Sequence, residues 1–208
     1  MRPLPHKTIE RLSQYRRALL MVHSTGKSHI FSHEIAKLIH ITAVQVRRDI
    51  MLIGYTGTLR KGYNVKELID LIGEIIDSEM IIRVCVIGVG NLGRAIINYF
   101  SGKRTKLSII AVFDSNIEKV GKKYSGVTCY DMEQLGELVS QEDIKIGIIT
   151  VPADQGQVTA DRLVKAGIKG ILNYAPKSVS VPKDVHLEEY DMITSLEKVA
   201  FFVKTHSD

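Results

Sequence analysis

The chain has 208 residues, of which 45% are hydrophobic and 25% are charged, and its formal net charge is +5. This balance is typical of a folded globular protein and excludes a mainly disordered or fibrous one. No apolar run approaches the roughly 20 residues that a membrane span needs, and the N-terminal residues lack the apolar core of a signal peptide. The two cysteines have no CxxC spacing. We therefore expect a cytoplasmic protein with reduced thiols and no membrane partner.

Positive charge is concentrated in the first third of the chain. Residues 1–64 contain 11 Lys and Arg residues against three acidic residues, which gives a net charge of +8. The remaining 144 residues contain 17 basic and 20 acidic residues, a net charge of −3. A basic lobe on a near-neutral body indicates a polyanionic partner at one end, although a solvated basic face would have the same charge.

The N-terminal part of the chain has the apolar periodicity of helices. A first amphipathic helix is predicted to end near Gly26. Ser32 can cap a short second helix that ends near His40. Thr42 can cap a third helix that ends at Gly54.

A glycine-rich basic segment follows the third helix and predicts a loop or hairpin. It contains Arg60 and Lys61, and the clearest helical stripe in the chain follows it over residues 65–76. Short helices followed by a basic hairpin indicate a winged helix-turn-helix domain over residues 1–80. The alternative is a three-helix dimerisation module whose arginines are only solvated.

A winged helix of this kind presents the N-terminal side chains of its third helix to the major groove of double-stranded DNA. Arginine can bind guanine through two hydrogen bonds, and glutamine can pair with adenine or contact phosphate. A basic wing can contact phosphates or enter a minor groove. The residues that are predicted to contact DNA in these ways are Thr42, Gln45, Arg47, Arg48, Arg60, Lys61 and Tyr63.

The second part of the chain begins with the pattern of a strand buried in a parallel sheet. An apolar run over residues 81–87 leads directly into Gly88-Val89-Gly90-Asn91-Leu92-Gly93, and a helical segment follows. This is the GxGxxG motif in its required strand–turn–helix context. Gly88 permits the tight turn, Gly90 lets a pyrophosphate approach the backbone, and Gly93 allows the helix to pack closely on the strand. The six residues of the turn are therefore candidate cofactor contacts.

A second apolar segment ends in Asp114, 21 residues after Gly93. An acidic residue at this position should hydrogen-bond the 2′-hydroxyl of the adenosine ribose, and it repels a 2′-phosphate, so it selects NAD over NADP. The alternative is that Asp114 only begins the turn that Ser115 and Asn116 continue.

Strands and helices continue to alternate toward the C-terminus, which predicts an α/β domain with a Rossmann-like doubly wound parallel sheet over residues 81–190. Ligands of such sheets lie beyond the carboxyl ends of the strands. Two segments that follow strands are therefore candidates to line a nicotinamide pocket, although proline would also mark an ordinary strand-to-helix turn there. Their predicted contacts are Thr150, Val151, Pro152, Ala175 and Pro176.

Residues 191–208 are predicted to form a last helix, with Thr194 and Glu197 as a capping box. The apolar residues of this helix, among them Phe201 and Phe202, cover more than one face and need cover on two sides. Insertion into a partner subunit would supply that cover, and helix-turn-helix proteins usually bind DNA as two-fold dimers. We therefore expect a homodimer with a domain-swapped C-terminal helix.

These segments, in this order, resemble the Rex family of bacterial NADH-sensing repressors, and the resemblance covers nearly the whole chain. The segments that carry it are residues 42–49, 88–95 with Asn98-Tyr99, 113–115 with 119–121, 150–153 and 166–176. Ser115 and Lys119 lie in these segments and are added to the candidate cofactor contacts. Two segments differ from the family pattern: Met51-Leu52 is aliphatic at the end of the third helix, and the wing lacks one glycine.

The resemblance implies a homodimer whose winged helices bind a palindromic operator. NADH weakens DNA binding in such proteins, and NAD+ permits or favours it. The resemblance also implies a coupling network between the two parts of the chain, formed by Arg17, Tyr99 and Asp191. Such a network would be a charge-assisted contact that is present in one dimer arrangement and replaced in the other.

The main alternative is a small NAD-dependent oxidoreductase. An enzyme of this kind needs a proton donor or acceptor beside the nicotinamide. His186, His206 and Cys129 are available in this half of the chain, and none has an evident partner in the sequence. A nucleotide or CoA-like ligand is a third possibility, against which Asp114 argues. A repressor without enzyme activity is therefore the predicted function.

Overall fold

The computed structural model describes residues 4–100 and 106–205. The chain divides into two compact units, Met1–Glu79 and Met80–Asp208. Among the described helices, none combines the length and the apolar character that crossing a bilayer requires.

The first unit is built from helices and one small antiparallel sheet. Its elements are α1 (His6–Ser24), β1 (His29–Ile30), α2 (Ser32–Leu38), α3 (Ala43–Leu52), β2 (Tyr63–Asn64) and α4 (Val65–Ile76). Ile30 of β1 pairs with Tyr63 of β2, and Thr58 bridges Gly62 in the wing between α3 and β2. This element order is that of a winged helix, as the sequence predicts.

The core of the first unit forms because each main helix places its apolar residues along one stripe. The fully buried members of that core are Leu12, Tyr15, Leu19, Ile35, Val46, Ile50, Val65, Leu68 and Ile72.

The helices α2 and α3 begin at or next to the residues that the sequence predicts as their caps. Thr42 caps α3, because its side-chain oxygen accepts the Gln45 N–H at 3.2 Å. Ser32 is instead the first residue of α2, after Phe31, whose N–H donates to Glu34 at 2.9 Å. The prediction of Ser32 as the cap is wrong, because the helical turn already begins at the Phe31 carbonyl, which accepts the N–H groups of Glu34 and Ile35 at 3.0 and 3.2 Å.

The second unit is a three-layer α/β structure. Its elements are β3 (Ile82–Ile87), α5 (Asn91–Phe100), β4 (Leu107–Asp114), β5 (Lys123–Tyr124), β6 (Val127–Asp131), α6 (Leu135–Gln141), β7 (Ile144–Ile149), α7 (Gly156–Lys165), β8 (Gly170–Asn173), β9 (His186–Glu189) and α8 (Met192–Thr205). The strand order is β5-β6-β4-β3-β7-β8-β9, and only β5 is antiparallel to its neighbour. Without β5 this is the doubly wound order of dinucleotide-binding domains, with its switch point at β3.

The central strand β3 shows why this unit folds as a sheet covered on both faces. Successive side chains of a strand point to opposite faces, and in β3 both sets are apolar. Cys85 and Ile87 belong to one core cluster, and Val84 and Val86 belong to the other. The predicted continuous apolar run is therefore a central strand with an apolar layer on each side.

The sequence left three elements of the second unit unpredicted, among them the two-residue strand β5, and misplaced one cap. Helix α6 has only seven residues, and β9 reads His-Leu-Glu-Glu and is mostly exposed at the sheet edge, so neither shows a strong apolar pattern. Helix α8 begins after Asp191, whose carboxylate accepts the N–H groups of Ile193 and Thr194 at 2.9 and 3.1 Å. The predicted capping box at Thr194 is therefore wrong. Thr194 lies in the first turn and donates its hydroxyl to Asp191.

Candidate functional site

The glycine-rich turn between β3 and α5 has the conformation that a dinucleotide phosphate site requires. Gly88 has φ +96°, and a Cβ on Gly93 would lie 2.0 Å from the carbonyl oxygen of Gly88. Among the described residues, no heavy atom outside Gly90 and its two chain neighbours lies within 4 Å of a Cβ placed on Gly90. The turn therefore needs glycine for its backbone at Gly88 and for helix packing at Gly93, whereas Gly90 faces open space.

Thr150, at the end of β7, holds the same turn from the neighbouring strand. Its hydroxyl lies 2.7 Å from the Gly88 carbonyl oxygen and 2.9 Å from that of Ile87, and its backbone N–H donates to the Ile87 carbonyl at 2.9 Å. The ends of β3 and β7 are thus tied together at the switch point of the sheet.

Asp114, at the end of β4, is 7% exposed and holds the turn from the other side. Its carboxylate accepts hydrogen bonds from the Val89 N–H at 2.7 Å, from Lys119 Nζ at 2.8 Å and from the Asn116 N–H at 2.9 Å. Burial alone would raise the pKa of Asp114, but these three donors outweigh it and the pKa is lowered. Asp114 is therefore an anion at neutral pH. The bond to Asn116 is the turn contact that the sequence offered as the alternative role.

These residues line a cleft of about 740 Å³ beyond the carboxyl ends of the central strands. Ten predicted cofactor contacts line it: Gly88, Gly90, Asn91, Leu92, Asp114, Ser115, Lys119, Thr150, Val151 and Pro152. Val89 is fully buried, and Gly93 is buried in the first turn of α5. Val89 and Gly93 are therefore not among the residues that line the cleft.

A smaller cleft of about 230 Å³ shares Leu92, Thr150 and Val151 with the larger one. Its other lining residues are Tyr174, Pro176, Tyr190, Asp191, Met192 and Ile193. Pro176 is thus placed at a cleft, as predicted. Ala175 is buried and lines a separate small pocket of about 70 Å³. The predicted nicotinamide segments therefore lie beside the start of α8.

Sequence reasoning missed the part of the large cleft that α7 and the segment before it provide. The missed lining residues of this part are Asp154, Gln155, Val158, Thr159 and Arg162. Ile87, Asn116 and Met132 line the cleft from other elements and were also missed. Arg162 is fixed there by hydrogen bonds of 2.8 Å to the Met132 carbonyl and to Glu133. A helix that follows a strand of a doubly wound sheet begins at the cleft, so the position of α7 was the available indication.

Of the side chains considered for an oxidoreductase, Cys129 and His186 line neither cleft. Burial raises the pKa of the Cys129 thiol, and the thiol lies inside the sheet core. His186 is exposed on the edge strand β9, 4.0 Å from Glu188. His206 lies outside the described residues. Within residues 4–100 and 106–205, no group of three His, Cys, Asp or Glu side chains could hold a metal ion.

In the first unit, α3 presents a basic exposed surface. Arg47 and Arg48 are exposed, and Arg47 donates to the Ser32 hydroxyl at 3.1 Å. Thr42 is exposed at the helix start, where the predicted DNA contacts begin. Gln45 instead turns toward the core, and its side-chain N–H donates to Asp49 at 3.0 Å.

The wing places Arg60 and Lys61 in solvent, at the tip that the Thr58–Gly62 bridge closes. Tyr63 is only 8% exposed and belongs to the core of the first unit. Its predicted role as a DNA contact does not fit this burial. Tyr63 is held inside because its strand pairs with β1, which turns the ring inward against the apolar helices.

The remaining predicted residues lie on exposed helix surfaces or at a helix start. Arg17 is exposed on α1, and Tyr99 is exposed near the end of α5 with its ring edge-on to Phe100. Asp191 caps α8, and its hydrogen bonds to the first turn lower its pKa.

No residue of α8 is buried: its large apolar side chains, including Phe201 and Phe202, are 56–69% exposed. An apolar helix with this exposure lacks the cover that such residues usually have.

A basic winged helix and a dinucleotide-type cleft on one chain define the class of DNA-binding proteins that carry a nucleotide-binding domain. Two family models match the chain accordingly. The model described as "Putative DNA-binding protein N-terminus" matches residues 3–50, and the model described as "CoA binding domain" matches residues 79–177.

Curated relatives identify the family. The redox-sensing transcriptional repressor Rex of Lactobacillus acidophilus is 37% identical over 205 residues, which are 99% of this chain and 97% of the relative. The Rex repressor of Bacillus licheniformis is 36% identical over 98% of this chain and 95% of its own. The chain belongs to the Rex family of redox-sensing transcriptional repressors. The prediction of a repressor, rather than an oxidoreductase, is confirmed.

Solved structures agree over the whole chain. The crystal structure of RSP, a Rex-family repressor, has a TM-score of 0.89 at 34% identity and covers 100% of this chain and 98% of its own. RSP in complex with β-NAD+ and operator DNA has a TM-score of 0.91, and RSP in complex with β-NADH has one of 0.87, each at 34% identity and covering 100% of this chain and 95% and 97% of its own. The predicted fold class is confirmed.

Proposed function

We propose that this chain is a homodimeric repressor that binds operator DNA through its winged helix and releases it when NADH occupies the cleft. The observation that carries the proposal is the glycine-rich turn, held between Asp114 and Thr150, in a chain that matches RSP over its full length. RSP has been crystallised both with NAD+ and operator DNA and with NADH. The proposed boundaries are 1–80 for the winged helix, 81–190 for the NAD(H) domain and 191–208 for the exchanged helix.

The cleft fits a dinucleotide because its open positions match the parts of that ligand. The space in front of Gly90 gives a pyrophosphate access to the backbone N–H groups at the start of α5, where the helix dipole favours negative charge. Asp114 faces the cleft as an anion and can accept hydrogen bonds from ribose hydroxyls. Ser115 and Lys119 line the same end of the cleft and are proposed to bind the adenosine half.

The smaller cleft is the proposed site of the nicotinamide ring. Its lining includes the apolar side chains of Leu92, Val151, Pro176 and Ile193. An uncharged reduced ring is buried in such surroundings at less cost than the cationic oxidised ring. Each tenfold preference for NADH in one dimer arrangement would supply about 1.4 kcal/mol to the switch.

On the DNA side, the proposed contacts are Thr42, Arg47 and Arg48 of the third helix and its cap, and Arg60 and Lys61 of the wing. The exposed apolar surface of α8 supports the homodimer, because a second copy can cover it. Two recognition helices in such a dimer can contact a palindromic operator when they lie one helical turn of DNA apart. A repressor with this partner would act in the cytoplasm.

The coupling role of Arg17, Tyr99 and Asp191 is also proposed. Arg17 is an exposed cation, and Asp191 is an exposed carboxylate at the edge of the proposed nicotinamide site. A charge-assisted contact between such groups, formed in one dimer arrangement only, would stabilise that arrangement relative to the other.

The test uses DNA duplexes selected by the full-length protein from a random-sequence library, at one fixed salt concentration. We expect the selected sites to be palindromic and NADH, but not NAD+, to release them. Arg17→Ala should weaken either DNA binding or the response to NADH, with Lys7→Ala as a control on the same helix. Selected sites that respond to neither nucleotide would refute the redox role.

A further inference from the structure

Asp49 is a buried carboxylate in the middle of α3, the helix proposed to contact DNA. It is 2% exposed, and its carboxylate accepts four hydrogen bonds. Arg11 donates two of them, from Nε at 2.6 Å and from Nη2 at 2.8 Å. The Tyr15 hydroxyl donates at 2.6 Å, and the Gln45 amide donates at 3.0 Å.

The four donors keep this carboxylate charged inside the protein. Burial by itself would raise the pKa of Asp49, but the hydrogen bonds from Arg11, Tyr15 and Gln45 outweigh it and the pKa is lowered. Arg11 and Tyr15 both belong to α1, so the network joins α1 to α3. Removal of any donor would leave a buried anion incompletely satisfied.

The network also fixes how α3 is rotated about its axis. Val46 and Ile50 pack inward on either side of Asp49 along the chain, whereas Arg47 and Arg48 point outward. Apolar contacts are not directional, so the core alone would tolerate a small rotation of the helix. The two-point bond between Arg11 and Asp49 is directional and would be broken by such a rotation.

Gln45 lies in the first turn of α3, where base contacts are expected, yet its amide is directed to Asp49. We propose that Asp49, held by Arg11, Tyr15 and Gln45, is a positioning residue that sets the direction of Arg47 and Arg48, and that Gln45 serves this network instead of contacting a base. This inference rests on the proposed binding of DNA by α3. It changes the predicted role of Gln45.

The decisive variant is Tyr15→Phe, which removes one hydroxyl from the network and keeps the ring that fills the core. Tyr55→Phe is its matched control. Tyr55 also donates its hydroxyl to a carboxylate, Glu67 at 2.7 Å, and that bond does not involve a residue of α3. Affinities for a duplex selected by the wild-type protein and for a random-sequence duplex are measured at one salt concentration, with variants confirmed as folded by circular dichroism.

We expect Tyr15→Phe to lower the affinity for the selected duplex about tenfold, which corresponds to about 1.4 kcal/mol. Its affinity for the random duplex should change by less than about twofold, because non-specific binding depends on neutralising phosphates. Tyr55→Phe should change neither. A Tyr15→Phe protein whose ratio of selected to random affinity equals that of the wild type would overturn the positioning role.

Gln45→Ala distinguishes positioning from base contact. We expect it to lower the affinity for the selected duplex and for all of its single base-pair variants by a common factor. Loss of discrimination at one base pair alone would show that Gln45 contacts that base, and the inference would be wrong. A wild-type protein that prefers no duplex over random DNA would refute the proposed function itself, which is a different result from either variant's.

Discussion

The carboxylate of Asp114 accepts a hydrogen bond of 2.7 Å from the backbone N–H of Val89, between the two glycines that begin the dinucleotide turn. The end of β4 thereby supports the turn that follows β3. One side chain holds the phosphate-binding loop in shape and also presents an anion to the proposed ribose site. A Rossmann domain with this arrangement ties its two main ligand contacts together.

Asp114→Ala should therefore weaken NADH binding in two ways, by loosening the turn and by removing a ribose acceptor. We expect at least about a tenfold loss, since hydrogen bonds to a charged group contribute about 1.5–3 kcal/mol each. Titration calorimetry with NADH measures the loss. Asp184→Ala is the control, because Asp184 pairs with Lys169 at 3.2 Å on an exposed surface away from the cleft. Unchanged NADH affinity in Asp114→Ala would refute this role.

The two glycines Gly90 and Gly93 of the turn predict different effects of the same substitution to alanine on the free energy of unfolding. Gly90→Ala adds a methyl group to open space, so the free energy of unfolding should stay within about 0.5 kcal/mol of the wild type. Gly93→Ala places a methyl group against the Gly88 carbonyl oxygen and should cost about 1–3 kcal/mol. Both should lose NADH affinity. Urea unfolding and NADH titration of the two proteins check this, and a stable Gly93→Ala protein that binds NADH normally would contradict it.

Asp49→Asn should destabilise the first unit by about 3 kcal/mol at neutral pH, because it leaves the part-buried Arg11 without its anion. The folded pKa of Asp49 is lowered, so its contribution is complete above the unfolded pKa of about 3.9 and is lost as pH falls through the folded value. The difference between wild type and variant in urea unfolding should thus narrow below about pH 4. Asp70→Asn, in an exposed pair with Lys66, should show no measurable change. A pH-independent difference for Asp49→Asn would contradict the assigned pKa shift.

A charge placed on the apolar surface of α8 should weaken the proposed dimer. Phe202→Asp places a carboxylate on an exposed apolar surface that a second copy is proposed to cover. We expect dimer dissociation to increase at least about thirtyfold, since central aromatic residues contribute about 2 kcal/mol or more to an interface. Sedimentation equilibrium measures this, with Glu197→Gln on the same helix as the control. Equal dimer affinities for Phe202→Asp and wild type would place the interface elsewhere.

Much of the fold was predictable because its strongest patterns are local. The apolar run of β3 and the glycines that follow it occur within a few residues of each other, and the structure places them as predicted. The same holds for the Thr42 cap, where one side chain and one N–H three residues on decide the outcome.

The features that escaped prediction depend on partners far away in the sequence. The inward direction of Gln45 follows from Asp49, whose charge is retained by Arg11, 38 residues earlier. The burial of Tyr63 follows from strand pairing with Ile30. Arg162 reaches the cleft because α7 starts at the switch point, and its own sequence surroundings contain no motif. Such contacts are set by the tertiary fold, so residue propensity and motif spacing in the sequence cannot predict them.

Occupation of the cleft by NADH is proposed to release DNA, and a comparison of wild type with Gly90→Ala tests this. A fluorescently labelled duplex selected by the wild-type protein is bound by each protein at one salt concentration, and NADH is added while anisotropy is followed. We expect NADH to release the duplex from wild type, whereas Gly90→Ala should bind it equally well and keep it at the same NADH concentrations. Release from both proteins at equal NADH concentrations, or from neither, would contradict the claim that this cleft controls DNA binding.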